Sequence, residues 1–171
     1  AGKTLGIYGL GAIGISVARV ALAFGMKVIA YTRTPKQVDG VELVSAEELF
    51  SQSDFVSFHC PLNKDSERVL NRETIELMKP TAFVINTARG GVIDEQALAD
   101  ALRSRRIAGA GLDVLTSEPM AADCPLADIE NCIITPHIAW AAYESRVRLI
   151  DIVVDNLRAF AAGTPINVVN K

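Results

Sequence analysis

One stretch decides the fold: Gly9-Leu10-Gly11-Ala12-Ile13-Gly14, which follows the apolar run from Thr4 to Tyr8. A G-x-G-x-x-G pattern that joins a strand to a helix is typical of dinucleotide-binding domains. The first glycine permits the tight turn, the second lets a pyrophosphate approach the backbone, and the third lets the helix pack on the strand. The N–H groups at the helix start then face the phosphates, whose charge the helix dipole favours. A glycine-rich turn without a ligand is the alternative, and the strand and helix on either side argue against it.

The composition indicates a large apolar core and a slight negative charge. The 171 residues are 50% hydrophobic and carry a formal net charge of −3. This length suits one domain, and the lack of basic character argues against a nucleic-acid partner. No apolar run is long enough to span a membrane. Because Cys60, Cys124 and Cys132 lack metal-ligand spacing, we expect no metal site and a reduced, cytoplasmic setting.

Short apolar runs alternate with helical patterns along the chain. The runs predict strands at 4–8, 27–31, 41–44, 54–58, 82–86, 107–114 and 132–135. Helices are predicted at 12–24, 46–50 and 72–79, after an N-cap at Asp94, and at about 142–162. The alternation predicts an α/β fold with a doubly wound parallel sheet.

Apolar spacing and glycines suggest how three of these elements pack. In the first helix the apolar residues at helical spacing are Ile13, Val17, Val20 and Phe24. In the last helix one face carries Val147, Ile150, Val154, Leu157 and Ala161. Gly109 and Gly111 predict a strand that another backbone approaches closely.

Polar motifs recur at the carboxyl ends of the predicted strands, where ligands bind in such sheets. They are Thr32-Arg33, His59-Cys60-Pro61, Thr87-Ala88-Arg89, Asp113 and His137. Since all of them fall at one edge of the sheet, we expect one shared crevice.

An arginine, a carboxylate and a histidine in one cleft can reduce a 2-keto acid. Arg89 would grip the substrate carboxylate and polarise the keto oxygen, and His137 would donate a proton. Glu118 would orient the imidazole and favour its charged form. Each residue also has a simpler interpretation: a solvated cation for Arg89, a surface turn for Glu118 and an edge hydrogen bond for His137.

Several motifs together resemble the cofactor domain of the D-isomer-specific 2-hydroxyacid dehydrogenases. They are Gly2-Lys-Thr-Leu-Gly-Ile-Tyr-Gly-Leu-Gly-Ala-Ile-Gly14, His59-Cys-Pro-Leu62, Asn86-Thr-Ala-Arg-Gly-Gly91, Gly111-Leu-Asp-Val114, Ser117-Glu-Pro119 and Thr135-Pro-His-Ile138. The resemblance implies a Rossmann-type NAD(P)-binding domain with catalytic Arg89, Glu118 and His137, and with Asp113 near the nicotinamide carboxamide. The His137-Ile-Ala-Trp140 motif and the ending Pro165 to Asn170 resemble the glycerate dehydrogenase (hydroxypyruvate reductase) branch. Hydroxypyruvate and glyoxylate are therefore the expected substrates.

The predicted cofactor is NAD(P)(H), with NADP(H) favoured. The acidic residue that usually binds the adenosine ribose is absent after the second strand, where Thr32 and Arg33 stand. Arg33 could pair with a 2′-phosphate, although stacking on adenine would suit NAD(H) equally. The predicted contacts are Gly9, Gly11, Ala12, Ile13, Gly14, Thr32, Arg33, Thr34, Cys60, Pro61, Ser66, Thr87, Ala88 and Asp113.

The resemblance also implies parts beyond this chain. Family members begin with a substrate domain, so residues 1–171 are expected to be the dinucleotide-binding domain alone. The helix and tail from about 142 to 171 would then return to that substrate domain, and the full-length protein would be a homodimer. A dinucleotide-sensing scaffold resembling the corepressors of this fold, and a phosphoglycerate dehydrogenase, remain alternatives. A formate dehydrogenase is less favoured, because its histidine would want an amide partner in place of Glu118.

Overall fold

Helices and strands alternate along the chain, as the apolar runs predict. The computed structural model describes residues 1–170, which form two compact units, Ala1–Pro136 and the segment that begins at His137. The strands are β1 (Thr4–Tyr8), β2 (Lys27–Tyr31), β3 (Val41–Leu43), β4 (Phe55–Phe58), β5 (Phe83–Asn86), β6 (Gly109–Leu112) and β7 (Cys132–Ile134). The helices are α1 (Ala12–Ala23), α2 (Ala46–Gln52), α3 (Arg72–Leu77), α4 (Glu95–Arg103) and α5 (Tyr143–Ala161), with a 3₁₀ turn at Gly90–Val92.

Within residues 1–170, the seven strands form one parallel sheet in the order β3-β2-β1-β4-β5-β6-β7. The chain runs outward from β1 to β3, returns to the middle, and runs outward again from β4 to β7. The order therefore reverses between β1 and β4. This confirms the doubly wound α/β fold, and a crevice at the carboxyl ends of β1 and β4 is where such sheets bind ligands.

The core consists of two apolar layers, one on each face of the sheet. Alternate residues of a strand point to opposite faces. Accordingly Ile7 packs in the layer beneath α1, and its neighbour Tyr8 packs in the other layer. One face of α4 is buried in that second layer, and the predicted N-cap, Asp94, caps α4 by accepting the Ala97 N–H at 3.0 Å.

Helix α1 forms as predicted but packs through its small residues. Gly14, Ala18 and Ala21 are buried, whereas Ile13 and Phe24 are 68% and 71% exposed. The reason is the close approach of α1 to β1. A Cβ on Gly14 would lie 2.3 Å from the carbonyl oxygen of Gly9, so the helix approaches too closely for larger side chains there.

The prediction of a close backbone approach to β6 is right for one glycine and wrong for the other. A Cβ on Gly109 would lie 3.0 Å from the Asn131 carbonyl oxygen, so this position is tight. A Cβ on Gly111 would meet nothing within 4 Å. The two glycines point to the same side of the sheet, but only Gly109 lies next to the Phe83 ring and the Asn131 carbonyl, which accepts the Ala110 N–H. The strand is also shorter than the predicted 107–114.

Asp54 ties the start of β4 to the start of β1, which the sequence did not indicate. Its carboxylate accepts the Thr4 backbone N–H at 2.8 Å and a hydrogen bond from the Lys79 ammonium at 3.2 Å. The Thr4 bond lowers the pKa of the Asp54 carboxyl, partial burial opposes this effect, and Lys79 adds to the lowering. Asp54 therefore contributes more stability ionised than protonated.

Asp54→Asn should lower the free energy of unfolding at pH 7 by about 1–3 kcal/mol, because the Thr4 N–H and the Lys79 ammonium lose their charged acceptor. A depressed pKa contributes stability above the unfolded value of about 3.9, and this contribution disappears as the pH falls towards the folded value. The difference between the two proteins should therefore shrink between about pH 5 and pH 3 in urea titrations. Asp39→Asn, at an exposed position, is the matched control. A pH-independent difference would contradict this account.

The second unit, which begins at His137, contains the long helix α5. This helix has no buried residue; for example, Ile150 and Leu157 are 62% and 64% exposed. Its predicted apolar face exists but is uncovered among residues 1–170. Throughout these residues, every helix falls short of the length or the apolarity that crossing a membrane requires.

Candidate functional site

A cavity lies where the strand order reverses, at the carboxyl ends of β1, β2 and β4. Its volume is about 250 Å³. The predicted residues that line it are Gly9, Gly11, Thr32, Arg33, Thr34, Cys60, Pro61 and Ser66. Residues that the sequence analysis had not singled out for the cofactor also line it, namely Tyr8, Leu10, Tyr31, Lys36, His59, Asn63 and Asp65. The loops after three strands therefore share one crevice.

The three glycines of the turn have three different structural roles. Gly9 has a φ of +106°, and a Cβ there would lie 2.7 Å from the Cys60 nitrogen. Gly14 is held against the Gly9 carbonyl, as described above. Gly11 has nothing within 4 Å of a Cβ position, so the space beside it is open. A tight turn, an open middle and a close helix contact form the cradle that a pyrophosphate needs.

The first turn of α1 adjoins this open space. Ala12 and Ile13 are exposed, and no acidic side chain lies in that turn. The first N–H groups of a helix have no acceptor inside the helix, so they are available to an anion. The residues present therefore fit a dinucleotide phosphate.

Cations and one anion occupy the corner of the cavity after β2. The Arg33 guanidinium lies 3.1 Å from the Asp65 carboxylate, and both side chains are largely exposed. Lys36 lines the same cavity. The sequence analysis missed both Lys36 and Asp65. Asp65 is 32 residues away from Arg33 along the chain, and no local pattern joins these two residues.

The loop after β4 is held by its own polar side chains. Ser66 is buried; its hydroxyl donates to the Pro61 carbonyl at 2.6 Å and accepts the Asn63 N–H at 2.8 Å. The Ser57 hydroxyl and His59 Nε2 lie 2.9 Å apart, and burial lowers the pKa of His59. Burial raises the pKa of the Cys60 thiol. Through its bonds to Pro61 and Asn63, the Ser66 hydroxyl holds the turn that forms this wall of the cavity.

Asn86, buried at the end of β5, holds the loop that carries Arg89. Its side-chain amide donates to the Arg89 carbonyl at 2.9 Å, and its side-chain oxygen accepts the Ala88 N–H at 3.0 Å. The guanidinium of Arg89 is exposed and donates to the Ala88 carbonyl at 2.6 Å. Thr87 and Ala88 do not line the cavity described above; they lie at the end of the next strand.

The loop that carries Glu118 packs on the Arg89 loop. A Cβ on Gly90 would lie 2.0 Å from the Leu115 carbonyl carbon, so the two backbones are in direct contact. Glu118 Oε1 accepts the Leu115 N–H at 3.0 Å, and Glu95 Oε1 accepts the Thr116 N–H at 2.6 Å. Glu95, which the sequence analysis missed, therefore positions the loop of a proposed catalytic residue.

Asp113 lies at the end of β6, beside the same loops. It is buried, its N–H donates to the Asn86 carbonyl at 2.9 Å, and its carboxylate accepts the Thr135 hydroxyl at 2.5 Å. Asn86 therefore contacts both Asp113 and the Arg89 loop. The structure thus joins the ends of β5, β6 and β7 through hydrogen bonds.

His137 is the first residue of the second unit. It has a φ of +52°, in the left-handed region, and its carbonyl accepts the Trp140 indole N–H at 2.9 Å. Trp140 is 55% exposed. Proximity of His137 to Glu118 remains a prediction.

The comparisons with known proteins agree with this geometry. The model of the family described as "D-isomer specific 2-hydroxyacid dehydrogenase, NAD binding domain" matches residues 1–139, so the chain belongs to that family. It is 49% identical to a hydroxypyruvate reductase of Blautia hydrogenotrophica, covering 99% of this chain and 54% of the relative. It is 48% identical to a glycerate dehydrogenase of Methylorubrum extorquens, covering 99% and 53%. The chain thus spans about half the length of these relatives.

Two solved structures of dinucleotide complexes have the same fold. One is the acyclic imino acid reductase Bsp5 in complex with NADPH and D-Arg, with a TM-score of 0.90 and 42% identity over 98% of this chain and 53% of that one. The other is the NAD-complexed D-isomer specific 2-hydroxyacid dehydrogenase of Lactobacillus delbrueckii ssp. bulgaricus, with a TM-score of 0.91 and 33% identity over 98% and 56%. The chain therefore belongs to a class of domains that bind a nicotinamide dinucleotide.

Proposed function

We propose that this chain is the cofactor half of an oxidoreductase that transfers a hydride between NAD(P)(H) and a small 2-hydroxy or 2-keto acid. The observation that supports this most strongly is the open space beside Gly11, between a strained turn and the start of α1. Hydroxypyruvate and glyoxylate are the proposed substrates, since relatives are named hydroxypyruvate reductase and glyoxylate reductase. A separate substrate domain would supply the other wall of the cleft, and α5 would lead the chain back to that domain.

The bound dinucleotide would supply the hydride, and the side chains of this chain would handle the acid. Arg89, on the loop held by Asn86, would bind the substrate carboxylate with its guanidinium fork and polarise the keto oxygen. His137 would hold the proton that the keto oxygen takes up. Glu118 would orient the imidazole and favour its charged form, and Asp113 would hold the carboxamide of the cofactor.

Turnover of the full-length enzyme tests this proposal. We expect reduction of hydroxypyruvate and glyoxylate, with less activity on pyruvate, when NADPH or NADH is supplied. The isolated 171-residue chain should bind the cofactor and turn over little, because one wall of the cleft cannot exclude water. Cofactor binding without turnover by the full-length protein would favour a sensor and contradict the oxidoreductase proposal. Turnover of phosphoglycerate alone would contradict the proposed substrates.

We further propose that NADPH binds better than NADH, since Arg33 and Lys36 line the corner after β2. Arg33→Ala should weaken NADPH binding by about tenfold, or ~1.4 kcal/mol, and change NADH binding little. Arg72→Ala, which removes an arginine of another exposed ion pair outside the cavity, is the control. Titrations that follow cofactor fluorescence measure both affinities. Equal losses for both cofactors would mean that Arg33 stacks on adenine, and tighter binding of NADH to the unaltered chain would contradict the preference.

We also propose that the full-length protein is a homodimer. The exposed apolar stripe of α1 supports this, because Ile13, Val20 and Phe24 are each more than half exposed and such stripes mark interaction surfaces. Sedimentation of the full-length protein should give twice the monomer mass, and a monomer would contradict the proposal.

A cytoplasmic setting is proposed as well. Cys60, Cys124 and Cys132 are all free thiols in the structure, which suits a reducing compartment.

A further inference from the structure

The cation best placed to meet a 2′-phosphate already has an anionic partner. Arg33 and Asp65 both line the cavity, and one guanidinium nitrogen lies 3.1 Å from a carboxylate oxygen of Asp65. The carboxylate comes from the loop after β4, whereas the acid that usually recognises the ribose comes from the end of β2. This chain therefore combines a phosphate-binding cation with an acid that competes for it.

The two partners differ in how firmly they are held. The side-chain oxygen of Asn63 accepts the N–H groups of Asp65 and Ser66, at 2.9 and 3.1 Å. Buried Ser66 anchors the same turn to the Pro61 carbonyl. Such a turn fixes the backbone that carries Asp65. The two side chains are similarly exposed, 75% for Arg33 and 73% for Asp65, but the Arg33 side chain is longer, so Arg33 is the partner that can change its contact.

Asp65 also acts on Tyr8, which lines the same cavity. The pKa of Tyr8 is raised to about 12, first by burial, then by Tyr31 and Cys60, and also by the charge of Asp65. Tyr8 lines the cavity at the end of β1. Asp65 and Tyr8 therefore lie on the wall of the same proposed cofactor site.

Given the proposed function, we propose that Asp65 is a specificity-determining residue that restrains NADP(H) binding by holding Arg33. When NADP(H) binds, Arg33 exchanges the Asp65 carboxylate for the 2′-phosphate, with which it can form two parallel hydrogen bonds. NAD(H) carries a ribose hydroxyl at that position and leaves the Arg33–Asp65 pair intact. Asp65 thus lowers the preference for NADP(H) that Arg33 and Lys36 create.

Neutralising Asp65 tests this directly in the 171-residue chain. Asp65→Asn should tighten NADPH binding by about three- to fivefold at low salt, as expected for an exposed ion pair, and NADH binding should stay within about twofold. The gain should shrink as salt is added, because the pair is exposed and screened. Glu130→Gln, which neutralises an acid of another exposed arginine pair, is the control and should change neither affinity. Asp65→Ala should act in the same direction as Asp65→Asn.

A second measurement tests whether Asp65 acts through Arg33. In the Arg33→Ala background, Asp65→Asn should change NADPH affinity by less than about twofold, since the arginine that Asp65 holds is already absent. A gain that persists in this background would mean direct repulsion of the phosphate and would overturn the proposal. Weaker NADH binding by Asp65→Asn would also overturn it, because Asp65 would then bind the ribose hydroxyl. Failure of the unaltered chain to bind either cofactor would overturn the proposed function itself.

Discussion

His137→Ala is expected to lower the turnover of 2-keto acid reduction in the full-length enzyme by about 10²–10⁴-fold. A positioned acid–base group typically contributes this much. The proton would otherwise have to come from water, which the proposed cleft of the full-length protein would exclude. Steady-state rates with hydroxypyruvate and NADPH measure the loss, and the cofactor affinity should stay unchanged. A loss below tenfold would mean that another group delivers the proton.

Glu118→Gln is the companion variant, because it keeps the shape and hydrogen bonding of Glu118 and removes its charge. Glu118 would favour the charged imidazole in the proposed site. Without that charge, the decline of the reductive rate with rising pH should begin at a lower pH. A pH profile identical to that of the unaltered enzyme would contradict the partnership of Glu118 with His137.

Gly11→Leu is expected to abolish measurable dinucleotide binding and leave the fold intact. A Cβ at this position meets nothing within 4 Å, so the side chain enters the open space proposed for the pyrophosphate. A ligand at a hundred times its dissociation constant should stabilise the unaltered chain by about 2.7 kcal/mol, and this gain should vanish in the variant. Thermal unfolding with and without NADPH measures both quantities.

Gly14→Ala is the matched control, because it also places a side chain in this turn but is expected to destabilise the fold. Its Cβ would lie 2.3 Å from the Gly9 carbonyl oxygen. It should lower the free energy of unfolding by about 1–3 kcal/mol even without ligand, as overpacking does. If Gly11→Leu destabilised the ligand-free chain more than Gly14→Ala did, the open space beside Gly11 would not exist.

The fold was predictable because its signals are local. Each strand is a short apolar run and each connection is a helix or a turn, so alternation alone indicated a parallel sheet. The packing of α1 was not evident from apolar spacing, because the requirement for close approach selected Gly14, Ala18 and Ala21 for burial. Hydrophobicity indicates that a helix forms, but the space available decides which of its faces is buried.

The candidate site was predictable in part, through motifs at strand ends. The cavity is lined by Gly9, Gly11 and the Thr32–Thr34 segment, because all follow neighbouring parallel strands. Contacts between distant segments could not be predicted, as the Arg33–Asp65 pair and the Glu95 bond to Thr116 show. Such pairs depend on how two loops lie after folding, which no spacing in the sequence records.

Titration of the unaltered 171-residue chain with NADPH and NADH tests the central claim most directly. Isothermal calorimetry gives the affinity and the number of sites for each cofactor. We predict one site per chain, tighter binding of NADPH, and loss of both signals in Gly11→Leu. Absence of binding at millimolar concentrations of both cofactors, with the chain folded by circular dichroism, would contradict the claim.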